Sequence, residues 1–391
     1  MNTKNYINKF IFFFTIYVFL ILLNDLLIPF QDQPDFIVRV ERLKNEPKVF
    51  FSIYSYINFF NYDQFIQTCD INYNNQTIWF KLNSNCIYEN ILYYVSRLCH
   101  TLTLTIPIFF IIANLKKVEN IYSKYFNNSK RNFKKIANSL ILCLISPSFI
   151  YFVSLVSEEV FTVFVMIFLF LVSESIILSC FILLLVLGLD QGSFIVGLIF
   201  YVNIIIINNL PRKLNNKMPK IYFILLSAIT YIFSFDLFKI LNFLEINKIY
   251  EISNGFIIAD VADKYPLLLR PIITYMSLIF MTSSGLKSVA TYFYFPIFLF
   301  ILIKYNSITD NTTVLNSNQP PKRVISEFYA SITTMVSVVF VLPDHSYAKY
   351  YIFMLPFLFN YLLYYLSFVQ AIILILSSTA LLYINIISYY I

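Results

Sequence analysis

The sequence predicts an all-helical integral membrane protein that crosses the bilayer about ten to twelve times. Of its 391 residues, 59% are hydrophobic and 13% charged, whereas soluble domains have about 45–50% apolar and about 25% charged residues. The excess lies in long apolar runs, such as 10–23, 161–172 and 176–189, separated by short polar breaks. A spanning helix needs about 20 mostly apolar residues, and fewer in thinned lipid. We therefore expect a single transmembrane domain over 1–391.

The first span is predicted over about 9–30, with the N-terminus in the cytoplasm beside Lys4 and Lys9. No small-residue cleavage site follows this run, which indicates a retained helix rather than a signal peptide. Residues 31–90 then form an extended extracytoplasmic loop. An oxidising compartment on that side permits a disulfide between Cys69 and Cys86 in this loop.

A basic loop over 115–135 separates the next two predicted spans, about 91–114 and 136–155. Most of the net charge of +7 lies in this loop, which the positive-inside rule assigns to the cytoplasm. A basic excess confined to one juxtamembrane loop does not indicate a nucleic-acid partner; anionic lipid headgroups are a secondary interpretation.

Residues 160–189 allow either one long helix or two short helices broken at Ser173-Glu174-Ser175. Two short helices and a third over about 193–210 return the chain to the cytoplasm at the basic segment 212–220. One long helix puts that segment outside, against the positive-inside rule. The sequence therefore favours two short helices. Within these runs, Cys143 and Cys180 are interpreted as packing residues.

After a helix over about 221–235, the sequence leaves two arrangements open. Two passes within 266–304 put the polar loop 305–325 outside, whereas one pass puts that loop inside and Asp344-His345-Ser346 outside. Two or three further helices are predicted, over about 326–342, 350–366 and 368–388.

The first candidate site follows the first span and contains Asp32, Asp35, Arg39 and Arg42. If Pro34 starts a helix, Asp35 lies in its first turn, and the two arginines share its face at i+4 and i+7. A carboxylate can deprotonate a sugar hydroxyl, while arginines bind a phosphate. The same pattern also fits a solvated amphipathic helix with ion pairs.

Further candidates lie at other predicted helix ends, where ionisable groups near the bilayer are costly and therefore functional candidates. They are Glu158 and Glu159 after the third span, His345 and Lys349 before a late span, Arg270 in an apolar setting, and Arg97 near the second span. For each, an ordinary interfacial or headgroup-binding role is the competing interpretation. Asp190-Gln191-Gly192 is interpreted first as a turn.

The sequence lacks the motifs that bind metals or nucleotides in other proteins. The sequence has no CxxC or HExxH spacing, no Walker loop and no dinucleotide fingerprint. We therefore predict no cofactor and no metal.

The layout resembles polytopic enzymes that use polyprenyl-linked sugars: the Wzy-type O-antigen or capsule polymerases and the broader GT-C membrane glycosyltransferases. The resemblance rests on acidic residues after the first helix (Asp32, Asp35), on Ser157-Glu158-Glu159, on the short helices that follow, and on the segment from His345 to Pro356. That segment looks like the "RY…P" helix start of such enzymes, with Lys349 where arginine is more usual.

This resemblance implies a multi-pass protein of the inner (plasma) membrane that transfers a growing oligosaccharide from undecaprenyl diphosphate to the next repeat unit. Its partners would be the lipid-linked glycan, membrane lipids and other polysaccharide assembly proteins. Asp32 or Asp35 would be the base, and no metal is needed because arginines stabilise the diphosphate leaving group. The alternative from another class is a flippase or transporter of lipid-linked glycans.

Overall fold

The part of the chain that the computed structural model describes is mainly helical, with short turns between helices and no strand among these residues. The described residues are 11–12, 14–19, 108–112, 114, 117, 120, 132–146, 149, 158–210, 217–233, 320–341, 350, 352–377 and 380. The main helices are α1 (Phe133–Leu144), α2 (Glu158–Val172), α3 (Ile176–Leu189), α4 (Gln191–Asn209), α5 (Lys217–Ile232), α6 (Lys322–Val341), α7 (Leu355–Leu362) and α8 (Phe368–Ser377). A 3₁₀ turn, Ile352–Met354, leads into α7. The all-α prediction is confirmed for these residues.

The three helices α2, α3 and α4 form a tight antiparallel zigzag. Three residues join α2 to α3, and the Ser175 side chain caps α3 by accepting from the Leu178 amide at 3.3 Å. One residue, Asp190, joins α3 to α4 and accepts from the amides of Gly192 and Ser193, both at 3.2 Å. Capping oxygens satisfy amides that a helix start leaves without partners. The prediction of two short helices within 160–189 is confirmed, as is the turn at Asp190.

The longest described helix, α6, lies at the centre of the bundle and packs against α4, α5 and α7. Its buried residues are mostly small or polar: Ser326, Glu327, Ala330, Ser331, Thr333, Thr334 and Ser337. Small side chains let neighbouring helix backbones approach closely, and hydroxyls can hydrogen-bond to the helix's own carbonyls. The Ser331 hydroxyl, for example, donates to the Glu327 carbonyl at 2.8 Å.

Aromatic rings fill the space between α2, α4 and α7. Phe357 meets Phe170 edge-on with ring centroids 4.9 Å apart, and meets Phe200 at 4.8 Å. Phe353, in the 3₁₀ turn, also contacts Phe200, at 5.7 Å. Edge-to-face pairs at these separations are favoured by the ring quadrupole. These ring contacts hold α7 and the 3₁₀ turn before it against α2 and α4.

The described bundle buries many polar side chains beside its apolar core and exposes many large apolar ones. Hydroxyl, amide and carboxylate side chains such as Asn203, Glu327 and Thr334 are buried. Large apolar side chains are exposed along the outer sides of α3, α4 and α5: Ile176, Ile177, Phe181, Leu184, Leu198, Ile199, Val202, Ile221, Ile224, Leu225 and Ile229. Extended exposed apolar surfaces of this kind are rare on soluble monomers.

The lengths of the described helices support fewer membrane spans than the sequence predicted. Among the described residues, only α4 is long and apolar enough to cross a membrane by itself. Five shorter apolar helices accompany it: Thr162–Val172, Ile176–Gly188, Met218–Ile232, Ile352–Leu362 and Phe368–Ser377. The extracytoplasmic loop 31–90 and the passes predicted within 266–304 lie outside the described residues.

The interpretation of Cys143 and Cys180 as packing residues is right for one of them. Cys143 is buried in α1, whereas Cys180 is exposed on the outer side of α3. In a run that is apolar on every side, as in α3, the sequence does not indicate which side faces the core.

Gly197 allows the closest approach within the zigzag. A Cβ there would collide with Met166 Cε and lie 2.8 Å from Leu183 Cδ2. We expect Gly197→Ala to lower the free energy of unfolding by about 1–2 kcal/mol, because added volume forces these side chains to move. The measurement is denaturation in mixed detergent micelles. Gly188→Ala, on the exposed side of α3, is the control and should be stabilising by about 0.5 kcal/mol through helix propensity. Equal effects would contradict the tight packing.

Candidate functional site

The described bundle has two distinct ends, which we call the Asp190 end and the Arg323 end. The Asp190 end contains the start of α2, Asp190 between α3 and α4, and Tyr350. A Cβ on Gly192 would lie 2.8 Å from Tyr350 Cε1, so Tyr350 packs against the first turn of α4. Because α2 and α3 are antiparallel and joined by three residues, α2 begins at this same end.

The Arg323 end contains the α2–α3 turn at Ser173 and Glu174, the end of α4 and the start of α6. The Lys322 ammonium donates to the Asn208 carbonyl at 3.1 Å, which joins the start of α6 to the end of α4. Lys135, in the first turn of α1, lies with Nζ 3.1 Å from the centroid of the Tyr364 ring. Phe328 stacks on Tyr361 at 3.9 Å, so α7 reaches this end too.

α5 also begins at the Arg323 end. The Thr230 and Ser337 hydroxyls lie 3.4 Å apart, far along both α5 and α6. Nearer both helix starts, the ring centroids of Phe223 and Tyr329 lie 6.5 Å apart, so the two helices are parallel and start at the same end. The sequence left open whether the basic start of α6 lies on the same side as the basic segment before α5. The structure brings the two starts, Lys217 and Lys322, to one end of the bundle.

A cluster of charged and polar side chains lies at the Arg323 end. Arg323 Nε donates to Glu327 Oε1 at 2.8 Å and lies 3.6 Å from Glu174 Oε1. Arg323 Nη2 donates to the Ser173 hydroxyl at 3.2 Å, and that hydroxyl donates to Glu327 Oε1 at 2.9 Å. These four residues join the α2–α3 turn to α6, across about 150 residues of sequence.

The three charged side chains of the cluster differ in their exposure to solvent. The Glu327 side chain is 2% exposed, Glu174 is 12% exposed and Arg323 is 28% exposed. A buried carboxylate stays ionised only with a nearby cation and hydrogen-bond donors. The Arg323 guanidinium supplies the charge, and the Ser173 hydroxyl supplies a second donor to the same oxygen. The cluster is suited to holding a charge within an apolar bundle.

A second polar contact lies deeper, between α4, α5 and α6. The Asn203 amide donates to the Thr334 hydroxyl at 2.9 Å, and the Tyr222 hydroxyl donates to Asn203 Oδ1 at 2.6 Å. One amide side chain therefore bonds to two other helices. A hydrogen bond within a protein contributes about 0.5–1.5 kcal/mol to stability. These two hydrogen bonds fix the mutual positions of the three helices.

Of the predicted site residues, the structure describes only the backbone positions of Glu158 and Glu159, which begin α2 at the Asp190 end. Tyr350, at the same end, follows Lys349 directly in the chain. The other predicted residues lie outside the described part of the chain: Asp32, Asp35, Arg39, Arg42, Arg97, Arg270, His345 and Lys349.

Sequence reasoning missed the Arg323 cluster. It treated Ser173-Glu174-Ser175 only as a helix break and Arg323 only as a loop charge. A usable signal was present, since Arg323 and Glu327 have i,i+4 spacing at the start of a long apolar run. Within the described residues, no group of three histidine, cysteine or acidic side chains is arranged to hold a metal ion.

Comparison with known proteins gives no match: no family model, curated protein or solved structure is detectably similar to this chain.

Proposed function

We propose that this chain is a multi-pass membrane protein of the plasma membrane that acts as a glycosyltransferase or polymerase on polyprenyl (di)phosphate-linked sugars. The observation that carries the membrane part is the large apolar outer surface of the bundle, together with its buried polar groups. Charged and hydrogen-bonding groups such as Glu327 and Asn203 are buried, while Ile177, Phe181 and Ile224 are exposed. In lipid, polar groups must find partners inside the protein, and the outer surface must be apolar.

The sidedness of this bundle follows from its charges. Lys134, Lys135, Lys217, Lys322 and Arg323 gather towards the Arg323 end, which the positive-inside rule assigns to the cytoplasm. The Asp190 end then faces outward. This orientation agrees with the cytoplasmic loop 115–135 and with the extracytoplasmic placement of Glu158 and Glu159.

The enzymatic part of the proposal rests on the resemblance together with this orientation. In the outward-facing arrangement, Glu158, Glu159 and Tyr350 lie at the same end of the bundle. A transferase needs a base for the acceptor hydroxyl and cations for the departing diphosphate. Asp32 or Asp35 would be the base, with Glu158 as a further catalytic residue. Arg39, Arg42, Arg97, Arg270, His345 and Lys349 would bind phosphate or sugar, with Glu159 beside them.

The test is deletion of the gene in its host, followed by electrophoresis of the surface glycan. We expect the glycan to be reduced to a single repeat unit, because repeat units still form and cross the membrane but are no longer joined. Normal chain lengths would contradict the proposal. Loss of all repeat units from the outer surface, with accumulation of lipid-linked units inside, would favour a flippase instead.

A further inference from the structure

The helix α3 is shorter than a bilayer is thick. It has 14 residues, which at about 1.5 Å per residue gives a length of about 21 Å. The hydrocarbon core of a typical bilayer is about 30 Å thick. The neighbouring α4, with 19 residues, is about 28 Å long by the same rule and nearly matches the core. The shortfall is roughly a third for α3, and a smaller one applies to α5, which has 16 residues.

Neither end of α3 has a side chain that can extend outward to make up the difference. At one end, the buried Asp190 carboxylate turns back to accept from the Gly192 and Ser193 amides and from the Ser193 hydroxyl, the last at 2.6 Å. At the other end, Glu174 Oε1 lies 3.6 Å from Arg323 Nε. Lysine and arginine can reach the interface with their long apolar stems, but these carboxylates are short and held in place.

The outer side of α3 is strongly apolar between these two ends. Ile177 is 81% exposed, and Ile176 and Leu184 are each 63% exposed. Phe181 and Cys180 share this surface. The apolar surface stops where the helix stops, at Ser175 and at Asp190. A layer of acyl chains that covers this surface and leaves the half-buried Ser175 and the exposed Gln191 at the headgroups is about as thick as the helix is long.

Resting on the proposed membrane location, we propose that the outer surface of α3 binds a locally thinned bilayer, whose hydrocarbon there is about 21–24 Å thick instead of about 30 Å. Lipid adapts to a short apolar span by thinning, at a modest cost per ångström. Headgroups beside α3 are thereby drawn down to the level of Asp190. In the proposed enzyme, the phosphate of a polyprenyl-linked substrate enters at the Asp190 end from this depressed headgroup layer.

The test compares thiol labelling along α3 in a protein that carries one cysteine at a time. Cys69, Cys86, Cys99 and Cys143 are changed to serine. The single thiol is native Cys180, or Ser175→Cys or Gln191→Cys combined with Cys180→Ser. Each protein is reconstituted in dioleoyl lipid vesicles and exposed on both sides to a charged, water-soluble maleimide. Asn209→Cys, at the far end of α4, is the reference for a helix of full length.

We expect the thiols at 175 and 191 to react at least about tenfold faster than Cys180, because only exposed thiolates react. If the thiols at 175 and 191 react as slowly as Cys180 while the thiol at 209 reacts fast, the bilayer is not thinned beside α3. The proposed membrane location would still stand. Fast labelling of Cys180 would contradict the membrane location itself. A high yield of Cys180–Cys180 disulfide under mild oxidation would assign this surface to a second copy of the chain and overturn the lipid proposal.

Because Ser175 caps α3, the folding of Ser175→Cys is checked first. The variant should be soluble in detergent and should have the same helix content as the unchanged protein. If this variant does not fold, Gln191→Cys decides the question for the outer half by itself. Its labelling rate should fall as the vesicle lipids are lengthened from myristoleoyl to erucoyl chains. A rate that is independent of chain length would overturn the proposal.

Discussion

Replacing Arg323 by alanine is expected to lower the free energy of unfolding by about 3 kcal/mol, since removal of one partner leaves a buried charge uncompensated. Glu327, whose side chain is 2% exposed, would lose the donor at 2.8 Å, and Glu174 would lose its nearby cation. The effect is measured by denaturation of the purified protein in mixed detergent micelles.

The neighbouring Lys322 offers a matched control. It is exposed and donates to the Asn208 carbonyl at 3.1 Å, so Lys322→Ala should change the free energy of unfolding by no more than about 0.5 kcal/mol. Adding Glu327→Gln to Arg323→Ala should recover part of the loss, because the uncharged amide removes the uncompensated charge. If Arg323→Ala and Lys322→Ala are equally mild, the cluster does not hold α6 to the α2–α3 turn.

Replacing Asp35 by asparagine is expected to reduce polymerisation by a factor of roughly 10²–10⁴, the usual contribution of a general base. The surface glycan should then resemble that of the deletion strain, with single repeat units replacing the long chains. Asparagine has nearly the same size as aspartate, so the amount of protein in the membrane should be unchanged. Asp63→Asn, in the same predicted loop, is the control and should leave chain length normal.

Arg270→Ala, the companion variant, should give the same phenotype through loss of phosphate binding, with Lys264→Ala as its control. If Asp35→Asn polymerises normally while Asp32→Asn does not, Asp32 is the base. Full activity in Asp32→Asn, Asp35→Asn and Arg270→Ala would remove all three residues from the site and leave the transferase proposal without its chemistry.

The helix order of the described region was predictable because its breaks are local. Ser173-Glu174-Ser175 and Asp190 interrupt apolar runs, and a short polar segment there caps helices whatever surrounds it. The basic segment 212–220 then favoured two short helices over one long helix within 160–189. Information of this kind lies within a few residues of each boundary, so a single sequence contains it.

The Arg323 cluster was not predictable in the same way. Its members come from the α2–α3 turn and from α6, and only the packing of those helices decides that Ser173 meets Arg323 rather than solvent. The exposure of Cys180 is a similar case. The charge of a residue can be read from the sequence, but its neighbours from distant helices cannot.

The single-residue connection at Asp190 has a consequence for how the protein is made. In the proposed membrane protein, one residue between α3 and α4 and three between α2 and α3 leave too little connecting chain for the helices to enter lipid one at a time. We expect the three helices to partition into the membrane together during synthesis.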